Sequence, residues 1–307
     1  MTSSQSLSLN GQPVGRIKAG WLLFRETWRF TMLDKELLLV PILSFVFHVV
    51  LFGILVSLAL LIMLGSTTEI PEDSPIWLGL MLFAYVVGAF ILAFSQAVIS
   101  HIVYVRAHGG NASLAQGFVR AWSHGVSLFV WSLITSTVGI ILHLISERSK
   151  LLGKILALVL GGAWGILTYF VVPAMVVSNM SAFTAIPQSG RVFRQTWGET
   201  VVSNISYTLI FFLLFVTWLL SGTGLVIVML SLGMSSLAAF IALIWFIAAV
   251  FLLLVSSIFG GILKTLLYMY AVEGTVPTNF NRELVEKMLV RQTVQTSTPA
   301  MPMQTTV

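Results

Sequence analysis

The chain has no cysteine and little charge: charged residues are 9% of its 307 positions, against about 25% in ordinary soluble domains. Without Cys there is no disulfide framework, no thiolate nucleophile and no Cys-ligated metal site. Catalytic signatures are missing as well. There is no His-Glu-x-x-His zinc helix, no Gly-x-x-x-x-Gly-Lys-Ser/Thr phosphate loop and no Gly-x-Ser-x-Gly elbow. No long apolar run holds two carboxylates, which argues against paired-aspartate chemistry or a carboxylate ion relay inside one. Nor does any basic run with interleaved aromatics mark a nucleic-acid surface. These absences lead us to expect no cofactor, no metal, no nucleic-acid partner and no enzymatic activity.

What the chain does have is apolar length. Apolar residues reach 57%, and six stretches, at 37–64, 76–105, 126–146, 151–178, 200–230 and 237–270, can each cross a bilayer. A hydrocarbon core of about 30 Å needs roughly 20 helical residues, so most of these runs are long enough to tilt. The expected fold is all-α, a polytopic membrane protein with six transmembrane helices arranged as three hairpins. The fifth span contains Ser221-Gly222-Thr223-Gly224, where it either continues or breaks into a re-entrant piece. Residues 1–13 read as a disordered tail and 281–307 as a short polar helix with a disordered tail, flanking a membrane domain at 14–280. The first 36 residues lack the apolar core and cleavage site of a secretory signal.

The Lys and Arg residues orient these spans. Thirteen of the sixteen fall on one side, and the other holds only Arg148, Lys150 and Lys154. Positive residues stay with the cytoplasm, so both termini are expected there, in a multi-pass protein of an inner (plasma) membrane. The sequons at Asn111 and Asn179 then face the cytoplasm and escape glycosylation.

Short related segments precede spans one, three and five: Leu23-Phe24-Arg25-Glu26-Thr27-Trp28, Phe118-Val119-Arg120-Ala121-Trp122 and Val192-Phe193-Arg194-Gln195-Thr196-Trp197. Phe and Trp at i and i+4 share a helix face, so each segment reads as an amphipathic helix lying in the interface, rings in lipid and Arg toward the headgroups. The exits of spans two and six echo each other too, as Tyr104-x-x-Ala107-x-x-Gly110 and Tyr268-x-x-Ala271-x-x-Gly274. Pro173 is expected to kink span four and free the carbonyl of Tyr169.

Few polar groups lie at membrane depth. His48 is about eleven residues into the first span, roughly 16 Å along it and close to the midplane. An ionisable group there reads either as a proton-relay or ligand position or as a neutral ring bonded to a nearby carbonyl. His101 and Lys264, near the cytoplasmic ends of spans two and six, are candidate binding residues that can equally snorkel to the surface. His143, Glu147 and Arg148 close the outer end of span three, while Gln96 and Asn204 suit interhelical hydrogen bonds.

Several phrases resemble an uncharacterised family of prokaryotic six-span integral membrane proteins. They are Asp34-Lys35-Glu36-Leu37-Leu38-Leu39-Val40-Pro41, Thr137-Val138-Gly139-Ile140-Ile141 leading to Glu147-Arg148, Ala163-Trp164 with Phe170-Val171-Val172-Pro173, and Thr196-Trp197-Gly198-Glu199. The resemblance covers about residues 14–280 and implies a bacterial or archaeal inner membrane, with no activity or functional residue to carry over. The alternation of interfacial helix and hairpin is more loosely similar to the membrane domain of some glycerophosphodiester phosphodiesterases, whose soluble catalytic domain has no counterpart here. Three functions are in play. The first is a non-enzymatic envelope scaffold or permease-like accessory component, with membrane lipids, a membrane protein or a second copy as partner. The second is a small-solute or lipid transporter using a polar path near His48. The third is an interfacial lipid-modifying enzyme using His101, Arg106, Arg120 and Lys264.

Overall fold

A computed structural model describes residues 35–65, 74–148, 152–197 and 201–274, with Pro71 and isolated positions at 8–9, 12–13, 29 and 31–32; over 201–215 it describes the backbone alone. Ser8–Leu9 and Gln12–Pro13 pair as a two-residue antiparallel ladder. Everything else with regular structure is helical. After a 3-10 turn at Lys35–Leu38 come α1 (Leu39–Gly65), α2 (Pro75–Ala107), α3 (Leu114–Ser123), α4 (Gly125–Arg148) and α5 (Leu152–Leu167). They are followed by α6 (Val171–Val177), α7 (Ala182–Trp197), α8 (Val201–Ser231) and α9 (Ser235–Glu273).

Among the described residues five helical stretches are long and apolar enough to cross a membrane: Glu36–Gly65, Pro75–Ala107, Gly125–Glu147, Leu152–Val177 and Ser235–Glu273. These mark a multi-pass membrane protein. The sixth expected span coincides with α8, whose described apolar part is Val216–Ser231. Its backbone stays helical through Ser221-Gly222-Thr223-Gly224, so the re-entrant break does not occur. In a bilayer an unbroken helix satisfies every backbone polar group internally, which two glycines and two hydroxyl residues do not prevent. Both hydroxyls bond back to their own helix, Ser221 Oγ donating to the Trp218 carbonyl at 2.7 Å and Thr223 Oγ1 to the Leu219 carbonyl at 3.0 Å.

Helix ends follow local chemistry. Pro75 opens α2 behind Ser74, whose hydroxyl accepts from the Ile76 amide at 3.4 Å. A reciprocal capping box starts α3: the Gln116 amide reaches Ser113 Oγ at 3.3 Å, and the Ser113 amide reaches Gln116 Oε1 at 3.0 Å. The two echoed exits end differently. Gly274 takes the left-handed conformation after α9 (φ 68°), whereas after α2 that role falls to Gly109 (φ 80°), one place before the echoed Gly110.

α2 is the hub, packing against α1, α3, α4, α6 and α9, while α5 lies on α4 and α8 on α9. The tightly packed core is a cap at one end of the bundle. It is built from Leu37 and Val40, Ala97 through Val103 of α2, Phe170 through Val176, and Ile258 through Tyr270 of α9. That end, where α2 and α9 finish and α4 begins, carries Arg106, Arg120 and Lys264, and is called the basic face below. Toward the other end the helices expose large apolar side chains, among them Phe52, Leu61 and Leu64 of α1 and Phe246, Ile247 and Phe251 of α9. Only surrounding lipid or protein makes such surface tolerable.

The break in span four also differs from expectation. The chain leaves α5 at Leu167 and turns through Thr168–Phe170 before Pro173 is reached, so the proline sits in the first turn of α6. There its missing amide costs nothing. The backbone group freed by the break is the Phe170 amide, which donates to Ser189 Oγ of α7 at 2.9 Å. Gly190 brings α7 close enough for this, because a side chain there would meet Leu167.

Candidate functional site

Polar side chains gather at two levels. The deeper level ties α2 to α9. Gln96 Nε2 donates to the Gly261 carbonyl at 3.2 Å and to Ser100 Oγ at 3.3 Å. Ser100 Oγ and Thr265 Oγ1 are 2.9 Å apart, and the Thr265 hydroxyl is already donated to Gly261 O at 2.9 Å. Ser100 is therefore the donor between the two hydroxyls. The result is a directed chain, Gln96 to Ser100 to Thr265 to the Gly261 carbonyl, that uses each hydroxyl as donor and acceptor once. Gly261 permits it: a methyl there would come within 3.2 Å of Gln96 Oε1 and 3.1 Å of Ile99. This fits the interhelical role expected of Gln96; the Asn204 side chain lies outside the described residues.

His48 stands apart from that chain. Its Nδ1 lies 2.7 Å from the Ser44 carbonyl one turn back, so Nδ1 carries the proton, and its Nε2 edge faces Gly88 of α2. This is the arrangement of a neutral ring bonded within its own helix, with one nitrogen lone pair turned to the neighbouring helix. A cleft of about 330 Å³ lies elsewhere, between α4 and α5, lined by apolar side chains such as Val138, Leu142, Leu160 and Trp164. If His48 serves packing, His48→Gln should melt within about 1 kcal/mol of the parent protein and His48→Leu at or slightly above it, since hydrocarbon does not solvate the polar ring. Thermal unfolding in detergent reads this. A drop of several degrees for both variants would show that the ring is needed for more than filling space.

The second level is the basic face. Arg120 of α3 reaches across to the turn between α6 and α7. Its Nη2 donates to the Val176 carbonyl at the end of α6 (3.2 Å) and to Asn179 Oδ1 (3.5 Å). Asn179 holds φ 53° in the α6–α7 turn, a left-handed conformation that Asn tolerates better than most residues. His124, at the α3–α4 junction and 7% exposed, reaches Asn179 Oδ1 through Nε2 at 3.1 Å and the Arg120 carbonyl through Nδ1 at 3.1 Å. His101 of α2 is half-buried, close enough for the charges of Arg120 and His124 to act on it. Beside them, Ser178 Oγ and Tyr268 OH share a 2.8 Å hydrogen bond between the α6–α7 turn and α9. Lys264 Nζ lies 5.1 Å from the centre of the Tyr169 ring, a cation–π contact. Arg106 donates to Asn111 Oδ1 at 2.9 Å.

Of the three candidate binding residues, the structure thus places His48 alone in α1, and His101 and Lys264 toward the basic face on different helices. Of the four residues that an interfacial enzyme would use, His101 and Arg120 come together; Lys264 leans on Tyr169 and Arg106 on Asn111. His143 and Glu147 pair at 3.2 Å, one turn apart at the far end of α4. His124 and Ser178 were not singled out by the sequence, and Asn179 and Tyr268 stood out only as a sequon and as part of an echoed helix exit. A polar Ser178-Asn179 directly after an apolar run marked a helix end, but not that the asparagine would collect donors from two other elements.

The repeated segments can be compared in part. In α3, Gly117 and Ala121 are buried, Val119 and Trp122 are each 72% exposed, and Phe118 packs on Phe94 with ring centres 5.5 Å apart. In α7, Phe193 packs on Tyr169 and Phe170 at 6.2 Å each. Both phenylalanines turn to the bundle, not to lipid, because each finds an aromatic partner on a neighbouring element. The first segment and Trp197 lie outside the described side chains.

Residues 75–278 match the model of a family of unknown function (DUF6159). No curated protein and no solved structure matches the chain. Among the described residues no group of three His, Asp or Glu side chains is placed to hold a metal ion.

Proposed function

The chain belongs to DUF6159, a family of unknown function, and we propose that it works as a non-enzymatic multi-pass protein of a bacterial inner membrane. In this reading six helices form three hairpins, each led by an amphipathic interfacial helix, with both termini cytoplasmic. The assembly serves as an envelope scaffold or a permease-like accessory component, with membrane lipids and a membrane protein or second copy as its partners. The likeness to the membrane domain of some glycerophosphodiester phosphodiesterases contributes only this alternation of elements and lends no catalytic residue.

One observation carries the non-enzymatic reading. The polar groups between α2 and α9 are spent on one another in a closed chain ending at Gly261 O. A ligand would have to break that chain to be recognised by it. The competing reading, a transporter, draws on the free Nε2 edge of His48 facing Gly88. Purified protein in proteoliposomes with a trapped pH indicator separates the two. The scaffold reading expects proton leak equal to that of empty vesicles. Protein-dependent flux that His48→Leu abolishes would overturn it in favour of transport.

The orientation has its own test, which the lack of cysteine makes clean. Single cysteines placed at Ser4, Ser66 and Thr305 should differ toward an impermeant thiol reagent on intact cells: Ser66→Cys labelled, the other two protected until lysis. The reverse pattern would invert the assignment made from thirteen basic residues against three.

A further inference from the structure

Arg120 and His124 lie one helical turn apart and converge on one atom, Asn179 Oδ1. A guanidinium only donates, so the Asn179 atom that faces it is the carbonyl oxygen, and His124 Nε2 must also donate to that oxygen. On the other side of the ring, Nδ1 faces the Arg120 carbonyl and Ser123 Oγ, both at 3.1 Å. The Ser123 hydroxyl also lies 2.7 Å from the Arg120 carbonyl. With Nε2 donating to Asn179, the ring is held on both edges by polar groups of α3 and of the α6–α7 turn.

A guanidinium and an imidazole N–H therefore share one amide oxygen. The three described carboxylates are occupied elsewhere. Glu36 accepts from the Leu114 amide at 2.7 Å, Glu147 pairs with His143 at 3.2 Å, and Glu273 with His108 at 3.5 Å. The Val176 carbonyl and the C-terminal end of α6 offset part of the charge. His101 adds a polar side chain from α2, and its ring makes no hydrogen bond among the described residues. Three of the guanidinium's five donor hydrogens, on Nε and Nη1, likewise have no partner among them. A half-buried guanidinium with unspent donors and no counter-charge among the described residues calls for an anion.

The surroundings say which anion. On the same α3–α4 corner Val119 and Trp122 are 72% exposed and Val126 81% exposed, and Phe183 of α7 is 71% exposed. A soluble anion has no use for such a surface, whereas Trp beside a basic group at a span end is the setting of the headgroup layer. We propose that Arg120, His124 and His101 bind the phosphate of an anionic phospholipid, with its acyl chains lying over Val119, Trp122 and Val126. The proposal rests on the membrane reading above and names the lipid class that the basic face selects.

The full-length protein, purified in detergent, would be titrated with phosphatidylglycerol and with phosphatidylcholine and followed by native mass spectrometry. Phosphatidylglycerol should be retained in preference; Arg120→Gln should weaken its retention about fivefold, the factor for one charge at an anionic headgroup, and His124→Gln should weaken it by removing a donor. Because Arg120 and His124 also brace the fold, His101→Gln is the cleaner variant: it removes no hydrogen bond among the described residues and should weaken retention with an unchanged melting temperature. Equal retention of the two lipids, or undiminished preference in His101→Gln and the folded variants, would overturn the proposal. So would displacement of phosphatidylglycerol by millimolar inorganic phosphate, which would identify a free-anion site. Failure of the protein to insert into vesicles of either lipid would sink the membrane reading itself, whereas insertion without headgroup preference sinks the lipid site alone.

Discussion

Replacing Gly222 with valine should destabilise the protein by about 3 kcal/mol and shift its tryptophan emission. A Cβ at this position would run into the indole of Trp245 on the facing helix. That indole stacks on Trp218, ring centres 5.0 Å apart and planes at 12°, and its Nε1 donates to the Trp218 carbonyl at 3.3 Å. Here α8 and α9 are in close contact, and in lipid such packing is what holds two helices together. Forcing an aromatic out of a filled site costs typically 1–3 kcal/mol, occasionally more, and the interhelical hydrogen bond goes with it. Trp245→Ala should recover part of the loss in the double variant, since the two side chains compete for one volume. Thermal unfolding and emission spectra of the four proteins in detergent complete the cycle. Unchanged melting and emission for Gly222→Val would mean that Trp245 does not occupy that face.

Gly117→Val should have a comparable effect by a different route. Gly117 is the point where α3 sits on α2: a Cβ there would be 2.9 Å from Val98 Cγ1 and 3.2 Å from Ile102 Cγ1. Both neighbours are fully buried, so neither can give way. The short helix must lift, and lifting it pulls Arg120 from the Val176 carbonyl and His124 from Asn179, loosening the α6–α7 turn as well. We expect a loss of about 2–4 kcal/mol, and faster hydrogen exchange at the start of α7 although the substitution is on α3. Val98→Ala vacates the contested volume and should restore much of the stability in combination. If Gly117→Val alters exchange in α3 alone, the hydrogen bonds of Arg120 and His124 do not couple the two segments.

What the chain determines by itself is the class of protein and the layout of its helices. Hydropathy over stretches of about 20 residues needs no tertiary information, because the bilayer demands apolar, internally hydrogen-bonded segments whatever they pack against. Ser113 with Gln116, and Pro75 behind Ser74, mark helix starts for the same local reason. The tertiary structure decided what periodicity cannot express. Phe118 was assigned to lipid by its helical spacing, yet it turns inward because the Phe94 ring of α2 is there to meet it. The break in span four moved from Pro173 to Thr168–Phe170 because Ser189, nineteen residues on from Phe170, supplies the hydrogen bond that makes the turn affordable. His124 and Asn179, 55 positions apart, became partners only when α4 and the α6–α7 turn came together on one face. A polar residue's role in this protein depends on which donor or acceptor lies opposite it, and within one chain that is set by packing and not by sequence spacing.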